Sequence, residues 1–175
     1  MNYNSAKNRK GFTLIELVVY LALVSGILVT ATSFAWNIIN SRTKAFAVQE
    51  VAQNGRFISE RLVQVVHQAM EITEPRPGES SERLLLTMRE SADDPTEFIF
   101  SDGRLFMVRD GGEPLAMSSD QVFVKSLRFV NLSPSNAKSK NLKIMIELEH
   151  VNPENRQEWQ AAETFITAVE LRDNY

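Results

Sequence analysis

Glu16 is the side chain in this sequence that most demands a chemical explanation. It closes the stretch Lys10-Gly11-Phe12-Thr13-Leu14-Ile15-Glu16 and stands at the head of a run, Leu17 to Ile39, that contains no Asp, Glu, Lys, Arg, His or Pro. A carboxylate at the edge of hydrocarbon costs several kcal/mol unless it is paired or protonated. One resolution is local. Near a helix N-terminus the backbone dipole favours an anion, and Thr13-x-x-Glu16 has the spacing of a capping box, in which hydroxyl and carboxylate satisfy the first free N–H groups.

The remaining candidates for chemistry are sparse. His67 and His150 lie far apart in a chain without cysteine, so neither a thiolate metal site nor a disulfide is available to join them. The acids Asp93, Asp94, Asp102, Asp110 and Glu113 are a candidate calcium set, but they lack EF-hand spacing, and acidic turns of this kind are usually just solvated. Lys138, Lys140 and Lys143, with Arg128, form the one basic cluster beyond the N-terminal part. Such a patch can hold phosphate groups of a nucleic acid through salt-sensitive contacts. A phosphate-cradling glycine loop and a nucleophilic serine elbow are both missing from the sequence. No catalytic residue, cofactor or metal site is expected, and the chain reads as a non-enzyme.

The elements that position these residues follow from patterning. The chain has 175 residues and a formal net charge of −3. Met1 to Gly11 is polar, with Lys7, Arg9 and Lys10 near its end and no apolar segment ahead of Gly11, unlike a secretory signal. Leu17 to Ile39, at about 1.5 Å rise per residue, extends roughly 35 Å and reads as a membrane span. A buried core helix is the alternative, although such helices rarely run so far without a charge. Basic residues on both flanks, the second set being Arg42 and Lys44, give a weak preference for a cytoplasmic N-terminus. Ser25, Gly26, Thr30, Thr32 and Ser33 within the span suit either close helix packing or local unwinding.

Beyond the span, Phe46, Val48, Val51, Phe57, Ile58, Leu62, Val65, Val66 and Met70 recur at spacings of three and four. They predict a continuing amphipathic helix, with Gly55 as a possible bend, carried to Ile72 before Pro75 and Pro77 stop it; at about 1.5 Å per residue the whole helix is roughly 90 Å long. After the stop the period changes to two. Leu84 to Met88, Phe98 to Phe100, Leu105 to Val108, Val122 to Val130, Leu142 to Leu148 and Phe165 to Leu171 read as strands. Asp102-Gly103 is a hairpin signal between two of them. The expected fold is α+β, a long N-terminal helix packed by its second half on a mainly antiparallel β-sheet head with one apolar face.

Taken together, Lys10-Gly11-Phe12-Thr13-Leu14-Ile15-Glu16-Leu17 and the apolar run behind it resemble the class III signal of the type IV pilin superfamily, which includes the pseudopilins of type II secretion. The resemblance implies that a prepilin peptidase recognises Lys10 and Gly11, cuts between Gly11 and Phe12, and methylates the new amine of Phe12. Glu16 then has a second partner for its charge, either the amine of its own Phe12 one turn away or that of a newly added neighbouring subunit. The superfamily favours the neighbour, as an assembly check. A proline often found midway along the first helix of major pilins is absent here. The order Asn54-Gly55-Arg56-Phe57, Asp102-Gly103, Pro114-Leu115 and a terminal strand ending in Leu171-Arg172 is similar to J-type minor pseudopilins and their type IV pilus counterparts.

The expected organisation is a cleaved leader at 1–11, a transmembrane and filament-core helix at 12–40, the amphipathic half of the stalk at 41–74 and a β head at 75–175. The resemblance implies a single-pass inner-membrane protein with its N-terminus in the cytoplasm, later incorporated into a periplasmic or cell-surface filament. Its implied partners are the peptidase, other major and minor pilins or pseudopilins, an inner-membrane assembly platform and lipid. Two functional expectations follow: a minor structural subunit that initiates or caps a filament, or a filament-tip module that binds DNA, a surface or secreted cargo.

Overall fold

The computed structural model describes residues 11–134 and 139–171. One helix, α1 (Leu14–Gln68), begins immediately after Thr13 and runs through Gly26 and Gly55 without interruption. The expectation carried it to Ile72, but the chain leaves the helix at Gln68 and becomes strand β1 (Ala69–Glu74). Ala69 and Ile72 are both buried, and their spacing of three imitates a helix face. A register shift between Ala69 and Glu71 lets a strand bury both residues, as a bulge displaces the alternation by one. Pro75 reinforces the choice, because the residue before a proline is pushed towards extended backbone.

The strands are antiparallel, and the fold class is the expected α+β, but they form two sheets where one was expected. The first has the order β1-β3-β4-β5-β6, with β3 at Leu84–Met88, β4 at Thr96–Ser101, β5 at Arg104–Arg109 and β6 at Leu115–Ala116. The second has the order β2-β7-β8-β9, with β2 at Ser80–Ser81, β7 at Val122–Asn131, β8 at Asn141–His150 and β9 at Ala162–Glu170. The short β2 was not foreseen. It pairs Ser80 with Val130 and Ser81 with Phe129, and so moves the chain onto the second sheet before β3 returns it to the first. Asp102 and Gly103 have φ of 51° and 71°, the doubly positive pattern of a tight hairpin turn, and join β4 to β5 in register.

Contacts divide the chain after Arg42 into two compact units. The unit from Thr43 onward has its own core. Ile58 and Leu62 of α1 belong to the same buried cluster as Leu84, Leu86, Phe98 and Leu105 of the first sheet and Phe129, Ile144, Ile146 and Leu148 of the second. Gly55 is buried in this unit, and the ring of Phe165 on β9 occupies the place a side chain would take: a Cβ there would lie 2.1 Å from the ring. The residue expected as a bend is a packing notch. The unit before Thr43 consists, among the described residues, of Gly11 to Thr13 and the first part of α1.

Candidate functional site

Helix α1 starts where it does because Thr13 caps it. The backbone N–H of Glu16 donates to Thr13 Oγ1 at 3.3 Å, and the N–H of Leu17 to the Thr13 carbonyl at 3.2 Å. One half of the predicted capping box is therefore formed, leaving Gly11 and Phe12 ahead of the helix in non-helical, exposed backbone. Phe12 is 84% exposed. Glu16 is exposed in the first turn of the helix and makes no ion pair among the described residues. Lys10, the basic residue of the motif, lies outside the described residues.

The apolar run behind Glu16 is unburied. Leu21, Ile27, Phe34 and Trp36 are among its exposed side chains, and none of its most apolar window is covered by the chain. Among the described residues the run is unburied, unlike a core helix, and by length and composition the helix is apolar enough to cross a membrane. Three hydroxyls inside the run, those of Thr30, Thr32 and Ser33, are satisfied by the helix itself. Thr30 Oγ1 donates to the carbonyls of Ile27 at 2.8 Å and Gly26 at 3.2 Å, Thr32 to Leu28 at 2.8 Å and Ser33 to Val29 at 3.0 Å. Such back-bonding lets hydroxyl residues sit in hydrocarbon without an unpaired donor. It occurs here without unwinding.

In the head the candidate residues do not converge. His67 stands near the C-terminal end of α1 and His150 at the end of β8. Nδ1 of His150 lies 2.9 Å from the Val151 carbonyl, its ring centroid is 5.0 Å from that of Trp159, and Trp159 meets Phe46 edge to face at 6.3 Å. Trp159 is thus a packing residue that joins the β8–β9 connection to α1. Asp93 pairs with Arg109 Nη1 at 3.0 Å, and Asp94 accepts the N–H of Met88 at 2.8 Å. Asp102 and Asp110 occupy positive-φ turn positions. No group of three or more His, Asp or Glu side chains is placed to hold a metal ion among the described residues.

The described members of the basic cluster are Arg128 on β7, Lys140 just before β8 and Lys143 on β8. Lys140 Nζ donates to the Met70 carbonyl at 2.8 Å, tying the start of β8 to β1. Lys143 stands on β8 opposite Val130 and Ala168, on the face turned away from the core. Lys138 lies outside the described residues. Displaced ionisations in the head belong to surface ion pairs. Lys125 is raised, first by its hydrogen bond to Glu147, and Arg83 by its hydrogen bond to Glu97. Glu158 is lowered, first by its own backbone N–H and then by Arg156. Each shift favours the charged form, the opposite of the tuning that brings a catalytic acid or base towards neutrality.

Residues 6–32 match the family model of the prokaryotic N-terminal methylation motif. No curated protein and no solved structure matches the chain. The motif, the long apolar helix that follows it and the β head are together consistent with a type IV pilin-like protein, and the motif indicates a substrate of prepilin peptidase. The motif points to a structural protein of pilin type, and the apolar helix fits a membrane-anchored pilin.

Proposed function

We propose that this chain is a minor pilin or pseudopilin, a structural subunit that is cut between Gly11 and Phe12, methylated on Phe12 and then built into a thin filament of the type IV pilus or type II secretion kind, which it initiates or caps. The observation that carries this reading is the methylation motif at residues 6–32 on a helix whose apolar side chains are unburied. An exposed apolar helix of this length is tolerable in lipid before assembly and in the packed centre of a filament after it. Lys10 and Gly11 address the peptidase. Glu16 carries the charge that a neighbour's methylated amine neutralises, since a carboxylate in an apolar environment needs a cationic partner.

Co-expression with a prepilin peptidase and a filament-assembling machine tests the proposal. Wild-type chain is expected in the filament fraction, while a Glu16→Val variant is expected to be processed normally and to stay in the membrane. Incorporation of both chains to the same extent removes Glu16 from the account. Retention of wild-type chain in the membrane while filaments form contradicts the structural role.

A further inference from the structure

Three steps in the chain place an amide or acid side chain directly before glycine: Asn54-Gly55, Asp102-Gly103 and Asp110-Gly111. At such a step the glycine nitrogen can attack the side-chain carbonyl carbon and close a succinimide ring, because no Cβ on the glycine crowds the approach. In an unstructured chain the Asn-Gly step is the fastest, since a neutral amide is a better electrophile than an ionised carboxylate. The fold reverses that order. Gly55 is buried within α1, where the Phe165 ring fills the place of a Cβ. Asn54 is held at both ends of its amide: Nδ2 donates to the carbonyl and to Oε1 of Glu50, each at 3.0 Å, and Oδ1 accepts the N–H of Ser119 at 3.1 Å. The two Asp-Gly turns share left-handed backbone, with φ of 51° and 71° at 102–103 and 48° and 66° at 110–111, so packing and not conformation separates them. Gly103 is buried, its carbonyl accepts the N–H of Val124 at 2.8 Å, and the Phe123 ring fills the place of its Cβ. Asp110 and Gly111 are exposed, and nothing lies within 4 Å of a Cβ built on Gly111. Two backbone bonds define that turn, Gly112 N–H to the Arg109 carbonyl at 2.8 Å and Asp110 N–H to the Pro95 carbonyl at 2.9 Å, and neither engages the Gly111 nitrogen.

We infer that Asp110 is a modification site, at which aspartate converts spontaneously to isoaspartate, and that folding protects Asn54 and Asp102 from the same reaction. The Gly111 nitrogen bonds to Asp110 Cγ, and one carboxyl oxygen leaves as water with the N–H proton and a proton from solvent. Water then opens the succinimide at either carbonyl. Opening at Cγ restores aspartate, while opening at the backbone carbonyl breaks its bond to the Gly111 nitrogen and routes the chain through Cβ and Cγ. The second product lengthens the β5–β6 connection by one carbon and frees an α-carboxylate, the group that an isoaspartate-specific protein methyltransferase takes as substrate.

Full-length protein in detergent micelles is aged at neutral pH, either folded or with the head unfolded by guanidinium chloride, and circular dichroism confirms each state. Peptide mapping with electron-transfer fragmentation, which separates isoaspartate from aspartate, then gives the rate at each position. In the unfolded protein, conversion is expected first at position 54. In the folded protein it is expected at position 110, at a rate at least about tenfold above those at 54 and 102, where the reaction must wait for local opening. Conversion at 54 or 102 as fast as at 110 in the folded protein overturns the inference. So does its absence at 110 in the folded protein while the unfolded protein forms isoaspartate there.

Discussion

Gly55 shows how far single residues can be read. In the sequence it is a helix-weakening residue, worth about 1 kcal/mol against alanine, and a bend is the reading that weakness suggests. Its cause is tertiary: the Phe165 ring lies where a Cβ would be, at 2.1 Å. Gly55→Ala is therefore expected to lower unfolding stability of the head by about 1–3 kcal/mol, the usual range for overpacking, despite the gain in helix propensity. Chemical denaturation measures it, and adding Phe165→Leu should restore part of the loss. A Gly55→Ala protein as stable as wild type or more so contradicts the packing role. Glu16 differs in kind. Its position and the Thr13 cap were legible from spacing alone, whereas the proposed partner is a group on another chain, which no pattern within one sequence can display.

Among the elements, regular ones were the legible ones. The alternation of Leu142, Ile144, Ile146 and Leu148 predicted β8, whose buried face they form. Asp102-Gly103 likewise predicted the β4–β5 turn, for which both positive φ values are required. Helix α1 was overextended by four residues because Met70 continues the spacing of three and four, yet it is 50% exposed on β1, whose bulge buries Ala69 and Ile72 instead. The two-sheet arrangement was not legible, since β2 is only Ser80–Ser81 and carries no period. Its hold on the chain comes from Asn131, which is 1% exposed: Nδ2 donates to the Pro75 carbonyl at 2.8 Å and Oδ1 accepts the N–H of Ser133 at 3.0 Å. Asn131→Ala removes both bonds and leaves buried backbone groups unsatisfied. It should cost about 1–3 kcal/mol in equilibrium unfolding. A change within about 0.5 kcal/mol, the range of ordinary surface substitutions, would show that Asn131 does not hold the two sheets' connection.

At the scale of the molecule, the two units obey different physics. From Thr43 onward the chain buries a contiguous apolar cluster drawn from α1 and both sheets, and that cluster includes no residue before Val51. A fragment comprising residues 43–175 should accordingly fold by itself, with a cooperative thermal transition and dispersed NMR resonances. A fragment lacking a cooperative transition would show that the core depends on the first part of α1. The first unit buries nothing of its apolar run, so its design is intelligible only through surroundings of lipid or neighbouring subunits. The proposed function rests on this unit, because the methylation motif is a local sequence pattern. The head supplied a fold and no task, because the surface that a partner recognises follows no period.

The central claim is that Gly11 and Phe12 are parted and that the new terminus is methylated. Mass spectrometry of the chain purified from cells with an active prepilin peptidase, compared with the same cells lacking it, tests this most directly. The account predicts a mature chain beginning at Phe12 and carrying one additional methyl group on its amine, with the leader retained when the peptidase is missing. A chain from peptidase-containing cells that still begins before Gly11, or one cut identically in both strains, contradicts it.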